Sequence, residues 1–219
     1  MFPLIHLCAP AVDFAVRSVR FMRSKEVNSM IKNIVLCGVG GQGTVLASKL
    51  LAAAAMEQNI PVMSAETIGM AQRGGSVFSH VRIGEGLYSP MIAAGTADLI
   101  IGFEPGETVR MLPYLKEGGH VVVSTRAIKP VTATLSESNY DSEPMLEYLK
   151  QNVPNLTLID ADKACAEIGS SKVLNMLLLG TALRTGVLDF NLEDIEHVML
   201  RTLPEKFHAM NLQALNYTK

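Results

Sequence analysis

Residues 31–43 read I-K-N-I-V-L-C-G-V-G-G-Q-G, an apolar run that ends in a glycine-rich turn. The apolar run predicts a buried parallel strand over Ile31–Cys37. Gly38–Gly43 satisfies the G-x-G-x-x-G pattern, and the Ala/Leu-rich stretch after it predicts a helix over Thr44–Gln58. A strand, a glycine turn and a helix in this order are typical of the first unit of a nucleotide-binding α/β fold.

The glycine turn leaves two interpretations open. Glycine permits positive φ and a close backbone approach, and unpaired N–H groups at a helix start attract phosphate or carboxylate groups. An anion site on this turn would use Gly38, Gly40, Gly41, Gln42, Gly43 and Thr44. The alternative is a tight turn that only packs the helix on the strand, and Gly43 is the glycine that packing explains most readily. Position 44 is threonine and the next lysine is Lys49, so the Walker A lysine is absent and ATP hydrolysis is disfavoured.

The rest of the chain alternates between strand and helix patterns. Further strands are predicted at Ile60–Glu66, Ala97–Phe103, Gly119–Ser124 and Leu156–Asp160. Helices are predicted at Glu107–Leu115, Met145–Gln151, Ala161–Ile168 with Val173–Thr185, Leu192–Leu203 and Glu205–Leu215, with a loop at Lys129–Glu143. Val77–Ile83 and Leu87–Ile92 flank a glycine-containing turn and predict a β-hairpin inserted into the alternation. These patterns predict an α/β fold with a doubly wound, mostly parallel Rossmann-like sheet, an inserted β-hairpin and C-terminal helices.

The length of 219 residues predicts one domain, which spans residues 30–219 and follows an N-terminal extension of residues 1–29. In the extension, the basic residues from Arg17 to Lys25 come after the apolar ones, the reverse of a secretory signal. An Arg-rich, acid-poor helix also resembles a transit peptide. We interpret the extension as an extra helix or as the product of a start codon assigned too early, because Met30 directly precedes the first strand.

Composition excludes several classes of function. The net charge is −2 and no long basic run occurs, so nucleic-acid binding is disfavoured. The apolar stretches are shorter than the roughly 20 residues that span a bilayer, so no membrane segment is predicted. The three cysteines, Cys8, Cys37 and Cys165, are far apart, whereas an iron–sulfur or zinc site needs about four ligands. This cysteine usage favours a reducing compartment, and we predict a cytoplasmic location.

A second polar, glycine-containing stretch runs from Glu66 to Ser76, with the sequence E-T-I-G-M-A-Q-R-G-G-S. Glu66 follows Gly43 by 23 residues, close to the roughly 20 expected of an acid that binds the ribose of NAD. The alternative for Glu66 is a strand-end hydrogen bond to the glycine loop. Arg73 is a candidate for binding a carboxylate or phosphate with its bidentate guanidinium, or for a salt bridge that fixes the loop. Gly74 and Gly75 complete this candidate site.

Glu104 and His80 are further polar candidates. Glu104 ends the third predicted core strand, where open α/β sheets place ligand crevices, but an acid is equally favoured there as the cap of the following helix. His80 is predicted to have a structural or interface role rather than a catalytic one, because no nucleophile with an orienting acid is evident beside it. We assign no catalytic residue and no metal ligand.

Five motifs occur in one order along the chain: G-V-G-G-Q-G (Gly38–Gly43), E-T-I-G-M-A-Q-R-G-G-S (Glu66–Ser76), S-H-V-R-I-G (Ser79–Gly84), Y-S-P (Tyr88–Pro90) and G-F-E-P (Gly102–Pro105). Together they resemble the gamma-type domain of 2-oxoacid:ferredoxin oxidoreductases, and among these the indolepyruvate branch most of all. The resemblance covers the chain from about Ile31 to the C-terminus.

The resemblance implies an oxidative decarboxylation. In this family a 2-oxoacid adds to thiamine diphosphate and loses carbon dioxide, electrons pass through [4Fe-4S] clusters to ferredoxin, and the acyl group leaves on coenzyme A. The thiamine diphosphate and clusters would belong to a large partner subunit, so this chain alone would bind no cofactor and be inactive. In the cytoplasmic hetero-oligomer, its glycine turn and Arg73 would shape the active site or coenzyme A access. The alternative is a stand-alone NAD-binding or regulatory Rossmann-type protein.

Overall fold

The computed structural model describes residues 31–68, 74–128 and 140–218. The strands in these residues form one sheet of six, in the order β2-β3-β1-β4-β5-β6. They are β1 (Lys32–Val39), β2 (Val62–Ile68), β3 (Ser76–Ile83), β4 (Ala97–Gly102), β5 (Leu115–Ser124) and β6 (Asn155–Ile159). All the strand regions predicted from the sequence are therefore present, with bounds shifted by a few residues, apart from one arm of the hairpin.

Seven α-helices connect and follow the strands within the described residues. They are α1 (Thr44–Glu57), α2 (Pro105–Met111), α3 (Glu143–Asn152), α4 (Ala161–Ile168), α5 (Leu174–Arg184), α6 (Leu192–Thr202) and α7 (His208–Leu215), with short 3-10 turns at Leu112–Tyr114, Ser171–Val173 and Glu205–Phe207. None of these helices is long and apolar enough to cross a membrane. The predicted loop Lys129–Glu143 lies outside the described residues for positions 129–139, and α3 begins at its last residue.

The sheet is mixed, with one strand reversed. Strand β1 pairs in parallel with β4, β4 with β5, and β5 with β6. Strand β3 lies between β2 and β1 and is antiparallel to both. Strand β2 therefore runs in the same direction as β1, and β3 is the one reversed strand of the six. The predicted doubly wound, mostly parallel α/β fold is confirmed.

Strand β3 does form an antiparallel hairpin, but its partner is β2. The predicted partner, Leu87–Ile92, is wrong. Residues 87–92 form no strand, and β3 instead pairs with β2, from Val62 opposite Ile83 to Ile68 opposite Val77. The physical reason is that both edges of β3 are occupied, by β1 on one side and β2 on the other, so the Leu87–Ile92 segment has no free edge to join. Pro90 within that segment also lacks the N–H group that a ladder requires.

Two hydrophobic cores cover the two faces of the sheet. Along β1, Ile34 and Leu36 belong to one core, whereas Val35 and Cys37 belong to the other. The larger core packs the sheet against α1 and the C-terminal helices α4–α7, and the smaller one packs it against α2 and α3. Continuous apolar strands with both faces buried are what a parallel sheet between helix layers requires.

The predicted C-terminal helical stretches are present as four helices, with Ala161–Ile168 and the stretch predicted at Val173–Thr185 forming two separate helices. Gly169 ends α4 in the left-handed conformation, with φ 86°, and the N–H groups of Gly169 and Ser170 both donate to the carbonyl of Cys165. A capping box between Asn191 and Asp194 begins α6. These local signals divide the region into α4, α5, α6 and α7 because each helix start or end finds a partner for its unpaired backbone groups.

The contact between α5 and α7 gives a stability prediction. A Cβ atom added at Gly180 would lie 2.0 Å from the carbonyl oxygen of Leu215, so the backbone of one of the two helices would have to shift. Gly180→Ala is expected to lower the free energy of unfolding by about 3 kcal/mol, as overpacking does. Thr181→Ala, on the same helix, is the control and should change it by less than about 0.5 kcal/mol. Urea unfolding monitored by circular dichroism measures both, and equal stability of the two variants would contradict the packing argument.

Candidate functional site

The glycine turn lies at the carboxyl end of β1, between Val39 and the first residue of α1. Gly41 and Gly43 have φ of 101° and 87°, a region that residues with a Cβ rarely adopt. Gly43 is the N-cap residue of α1, and no side chain caps this helix start. The N–H groups of Gly41, Gly43 and Thr44 have no acceptor among the described residues. The turn thus presents unpaired donors at the positive end of a helix dipole.

Gln42 holds the turn in place with its side chain. Its Oε1 accepts a hydrogen bond from the Val39 N–H at 2.6 Å, and its Nε2 donates to the carbonyl oxygen of Phe103 at 2.8 Å. Gly38 makes room for this arrangement, since a Cβ there would lie 2.7 Å from Gln42 Oε1 and 2.7 Å from Phe103 Cβ. Gln42 therefore links the ends of β1 and β4, and Gly38 leaves the space for this link. These two residues have a structural role in the turn.

The second glycine-containing motif meets the first one. The N–H group of Gly40 donates to the carbonyl oxygen of Gly75 at 2.9 Å, just before β3 begins. Gly74 precedes it with a φ of 77°. The structure thus brings the two glycine-containing stretches together at Gly75. Because the Gly40 N–H group is paired in this contact, it is not available to a ligand. Arg73 lies outside the described residues.

A pocket of about 390 Å³ opens in front of the turn. Its lining combines the turn with two cations, two small polar side chains and three apolar side chains: Gly40, Gly41, Gln42, Gly43, Leu46, Arg126, Ile128, Ser171, Lys172, Leu174 and Asn175. Lys172 is exposed and has no ion-pair partner among the described residues, whereas Arg126 contacts Asp162 at 3.3 Å. Unpaired N–H groups together with these cations make the pocket suited to an anion.

Asn175 supplies a further donor on the floor of the pocket. Its side chain is 3% exposed, and its Oδ1 accepts a hydrogen bond from the Met176 N–H at 3.0 Å. Its Nδ2 has no acceptor among the described residues, and it is not one of the fully enclosed unpaired atoms. This nitrogen is 3.1 Å from the position that a Cβ at Gly43 would occupy. Packing against Asn175 and the positive φ together explain why position 43 is glycine.

Sequence reasoning missed Arg126, Ser171, Lys172 and Asn175. The local signal was weak: Ser171 and Lys172 form the break between two predicted helices, and a lysine in such a break is ordinary. The packing of α5 beside α1 brings Ser171, Lys172 and Asn175 to a turn that is far away in the sequence, and Arg126 reaches it from the end of β5.

Glu66 does not lie at the pocket. It stands on β2, and β3 separates β2 from β1 by two strand spacings, roughly 9–10 Å. Its Oε1 accepts a hydrogen bond from Ser48 Oγ on α1 at 3.1 Å, so its partner is the helix and not the glycine loop. In a dinucleotide-binding fold the ribose-binding acid follows the strand that neighbours β1. The inserted β3 disfavours that role for Glu66.

Glu104 caps α2 instead of facing the pocket. Its side chain is 1% exposed, its Oε2 accepts a hydrogen bond from the Glu107 N–H at 2.8 Å, and its Oε1 accepts one from the Tyr140 hydroxyl. Glu107 in turn accepts a hydrogen bond from Ser76 Oγ at 2.6 Å. Burial raises the pKa of the Glu104 carboxyl above its ordinary value. Of the two interpretations of Glu104, the geometry supports the helix cap.

His80 is a buried part of the sheet. Its Nδ1 accepts a hydrogen bond from the Ile92 N–H at 2.9 Å, and its ring contacts those of Phe78 and Tyr114. Burial lowers its pKa, so the neutral imidazole is favoured. These contacts support the predicted structural role. Within the described residues, no group of three or more His, Cys, Asp or Glu side chains could hold a metal ion.

The structure is an α/β fold whose glycine turn faces a pocket lined by two cations, and Glu66 lies away from that pocket. Residues 33–218 match the family described as pyruvate ferredoxin/flavodoxin oxidoreductase. The match spans most of the chain, and the chain belongs to this family.

Relatives and solved structures agree with this assignment. The chain is 36% identical over 184 residues to the indolepyruvate oxidoreductase subunit IorB of Archaeoglobus fulgidus, covering 84% of this chain and 91% of that one. It is 29% identical to the common gamma subunit of the pyruvate/ketoisovalerate oxidoreductases of Thermococcus litoralis, covering 81% and 89% of the two chains. These relatives are subunits of oxidoreductases, which implies a larger partner subunit.

Two solved structures share the fold. The gamma subunit of the keto/oxoacid ferredoxin oxidoreductase of Geobacter sulfurreducens has a TM-score of 0.58 at 23% identity and covers 84% of this chain and 94% of its own. The 2-oxoglutarate:ferredoxin oxidoreductase of Magnetococcus marinus has a TM-score of 0.63 at 20% identity and covers 86% of this chain. The matched region is only 30% of that second chain, so there the fold is one part of a longer polypeptide.

The capping role of Glu104 predicts a pH-dependent difference between two variants. Because the folded-state pKa of Glu104 is raised, its contribution to stability is present below the ordinary glutamate pKa of about 4.3 and is lost as the pH rises through the raised value. Glu104→Gln keeps an oxygen for the Glu107 N–H and stays uncharged, so its stability relative to wild type should increase from pH 4.5 to pH 8. Glu104→Ala also removes the titrating carboxyl but loses the cap as well, so it should be about 1 kcal/mol less stable than Glu104→Gln at both values.

Urea unfolding of wild type and both variants at the two pH values measures these differences. If Glu104→Gln were as destabilising as Glu104→Ala at both pH values, the argument that an uncharged side chain at position 104 caps α2 would be refuted.

Proposed function

We propose that the chain is the subunit without a redox centre of a 2-oxoacid:ferredoxin oxidoreductase that acts on indolepyruvate or a similar aryl pyruvate and releases an acyl-coenzyme A. The observation that carries the proposal is the 36% identity to indolepyruvate oxidoreductase subunits over most of the chain, against 29% to a pyruvate/ketoisovalerate subunit. The complex is expected in the cytoplasm.

The proposal assigns the redox chemistry to the larger subunit. Thiamine diphosphate and [4Fe-4S] clusters supply decarboxylation and electron transfer to ferredoxin when they are bound there. On this chain, Cys37 and Cys165 are buried and lie on different elements, β1 and α4. Burial also raises the pKa of both thiols, which disfavours the thiolate that a cluster ligand must be. The contribution of this chain is therefore to shape the active site or the access of coenzyme A.

The pocket at the glycine turn is the part of this chain that suits coenzyme A. Coenzyme A carries a diphosphate and a third phosphate, and each needs N–H donors and cations. The N–H groups of Gly41 and Gly43, the amide of Asn175 and the ammonium of Lys172 offer both kinds of group around one pocket. The apolar Leu46 completes a surface that a partly apolar ligand also contacts. We infer that a phosphate group of coenzyme A binds here.

Co-expression tests the assembly. Produced together with the larger subunit from the same genome, the chain should co-purify as a brown complex that reduces ferredoxin or a dye with indolepyruvate and coenzyme A. The brown colour arises from the clusters of the partner. Produced alone, the chain should be colourless and inactive. A lone chain that binds NADH tightly and needs no partner would contradict the proposal and favour a dinucleotide-binding protein.

Lys172 tests the coenzyme A contact within that complex. Loss of one charge-assisted hydrogen bond costs about 1.5–3 kcal/mol, so Lys172→Ala should raise the KM for coenzyme A roughly tenfold or more and leave kcat nearly unchanged. Lys163→Ala is the matched control, because Lys163 is an exposed lysine on α4 that does not line the pocket. Steady-state kinetics with varied coenzyme A separates the two. An unchanged KM in Lys172→Ala would remove the contact while leaving the assignment of the subunit intact.

A further inference from the structure

The face of the sheet opposite α1 is covered unevenly. Helix α2 packs on β1, β4 and β5. Over β3, the cover on this face is the irregular segment Leu87–Ile92, which includes the Y-S-P motif. His80 and Arg82 are two positions apart on β3 and therefore point to this same face. Neither the segment nor these two side chains is used by the anion pocket, which lies on the α1 side.

The segment is fixed to β3 at two points. Arg82 Nη1 donates to the carbonyl oxygen of Ser89 at 2.8 Å, and its Nε donates to Asn33 Oδ1 at 2.9 Å. His80 Nδ1 accepts the hydrogen bond from the Ile92 N–H. Between these points, the Met91 N–H donates to Ser89 Oγ at 3.1 Å. The backbone of the segment is therefore hydrogen-bonded at Ser89 and Ile92 to S-H-V-R, the motif that precedes it.

This fixed backbone exposes two large apolar side chains. Tyr88 is 95% exposed and Met91 is 52% exposed, although the adjacent Ile92 is buried. Residues 87–96 contain no charged side chain, and the one charged group that is hydrogen-bonded to the Leu87–Ile92 segment from β3, Arg82, is engaged with Ser89 and Asn33. Holding exposed apolar groups rigidly costs stability and gives no packing in return within the described part of the chain. The arrangement is typical of a preorganised interface.

The adjacent edge strand extends the apolar surface. In the register of β2 with β3, Met63 lies opposite Arg82 and Ala65 opposite His80, so both share the uncovered face. Both are only half-buried. The outer edge of β2 has no partner strand among the described residues, and β2 contains neither lysine nor proline, which commonly protect exposed edges. Its one charge, Glu66, bonds to Ser48 on the opposite face.

We propose that Met63, Ala65, Tyr88 and Met91, here called the Tyr88 surface, bind the larger subunit of the oxidoreductase through an apolar, uncharged patch of that subunit. This inference rests on the proposed function and identifies the face that the partner covers. Interface cores are depleted in charge and enriched in Tyr and Met, as this surface is. In the Magnetococcus marinus chain the fold is 30% of a longer polypeptide, so protein mass beyond the fold is available to cover such a surface.

The location of the surface is compatible with the other proposed role. The anion pocket lies on the face of α1 and α5, whereas the Tyr88 surface lies on the face of α2. A partner bound to the Tyr88 surface therefore leaves the glycine turn open to a ligand.

Paired substitutions test the proposal in the assembled complex. Tyr88→Ser with Met91→Ser should weaken binding of the larger subunit at least about 30-fold, the effect of losing an aromatic hot spot. The matched control is Tyr148→Ser with Met56→Ser, the same residue types at positions that are 49% and 66% exposed elsewhere on the surface. The control should bind like wild type. Binding is measured between the separately purified chains by biolayer interferometry, and urea unfolding of each lone variant should match wild type because all four side chains are exposed.

A photo-reactive phenylalanine derivative at position 88, compared with the same group at position 148, identifies the occupant. Position 88 should cross-link to the larger subunit within the co-purified complex, and position 148 should not. A cross-link from position 88 to a second copy, or to residues 1–30 of its own chain, would overturn the proposal. Unchanged binding of the larger subunit by the Tyr88/Met91 variant would also overturn the proposal. In that case, binding by the wild-type chain would still support the proposed function. Failure of the wild-type chain to bind the larger subunit at all would overturn both.

Discussion

The pairing of β3 with both β1 and β2 is the constraint on which the rest of the structure depends. By lying between these two strands, β3 moves Glu66 away from the glycine turn and gives it Ser48 as a partner. At one end of β3, Gly75 reaches the turn and accepts the Gly40 N–H. Along its length, His80 and Arg82 hold the next segment of chain. Because of this one reversed strand, the acid at the end of β2 lies away from the glycine turn, unlike the acid of a dinucleotide-binding fold.

The glycine turn serves two purposes, and its residues divide between them. Gly38 and Gln42 fix the turn to Phe103 at the end of β4, so their contribution is rigidity. Gly41 and Gly43 leave N–H groups unpaired at the start of α1, and Asn175 and Lys172 add donors from another part of the chain. Unpaired donors that are already in position need no reorganisation to contact an anion, which is the basis of the proposed phosphate contact.

The two faces of the sheet carry different proposed roles. On the side of α1 and α5, polar and basic groups surround a pocket that suits a phosphate of coenzyme A. On the side of α2, a segment that is hydrogen-bonded to β3 exposes Tyr88 and Met91. In the proposed function, this chain contributes one side of a ligand site and a partner surface, and the redox groups belong to the larger subunit. This division agrees with membership in a family of oxidoreductases whose relatives are subunits.

The sequence by itself determined the strand, turn and helix at residues 31–58, the positions of nearly all other elements and the family, because these depend on local periodicity and on motifs in order. Only the tertiary structure decided that β3 pairs with β2 and not with residues 87–92, because strand pairing depends on which edges are free. It also decided that Lys172 and Asn175 join the turn while Glu66 and Glu104 do not. The packing of α5 beside α1 places Lys172 and Asn175, the intervening β3 separates Glu66 from the turn, and the cap of α2 holds Glu104, and no local pattern in the chain encodes the first two of these arrangements.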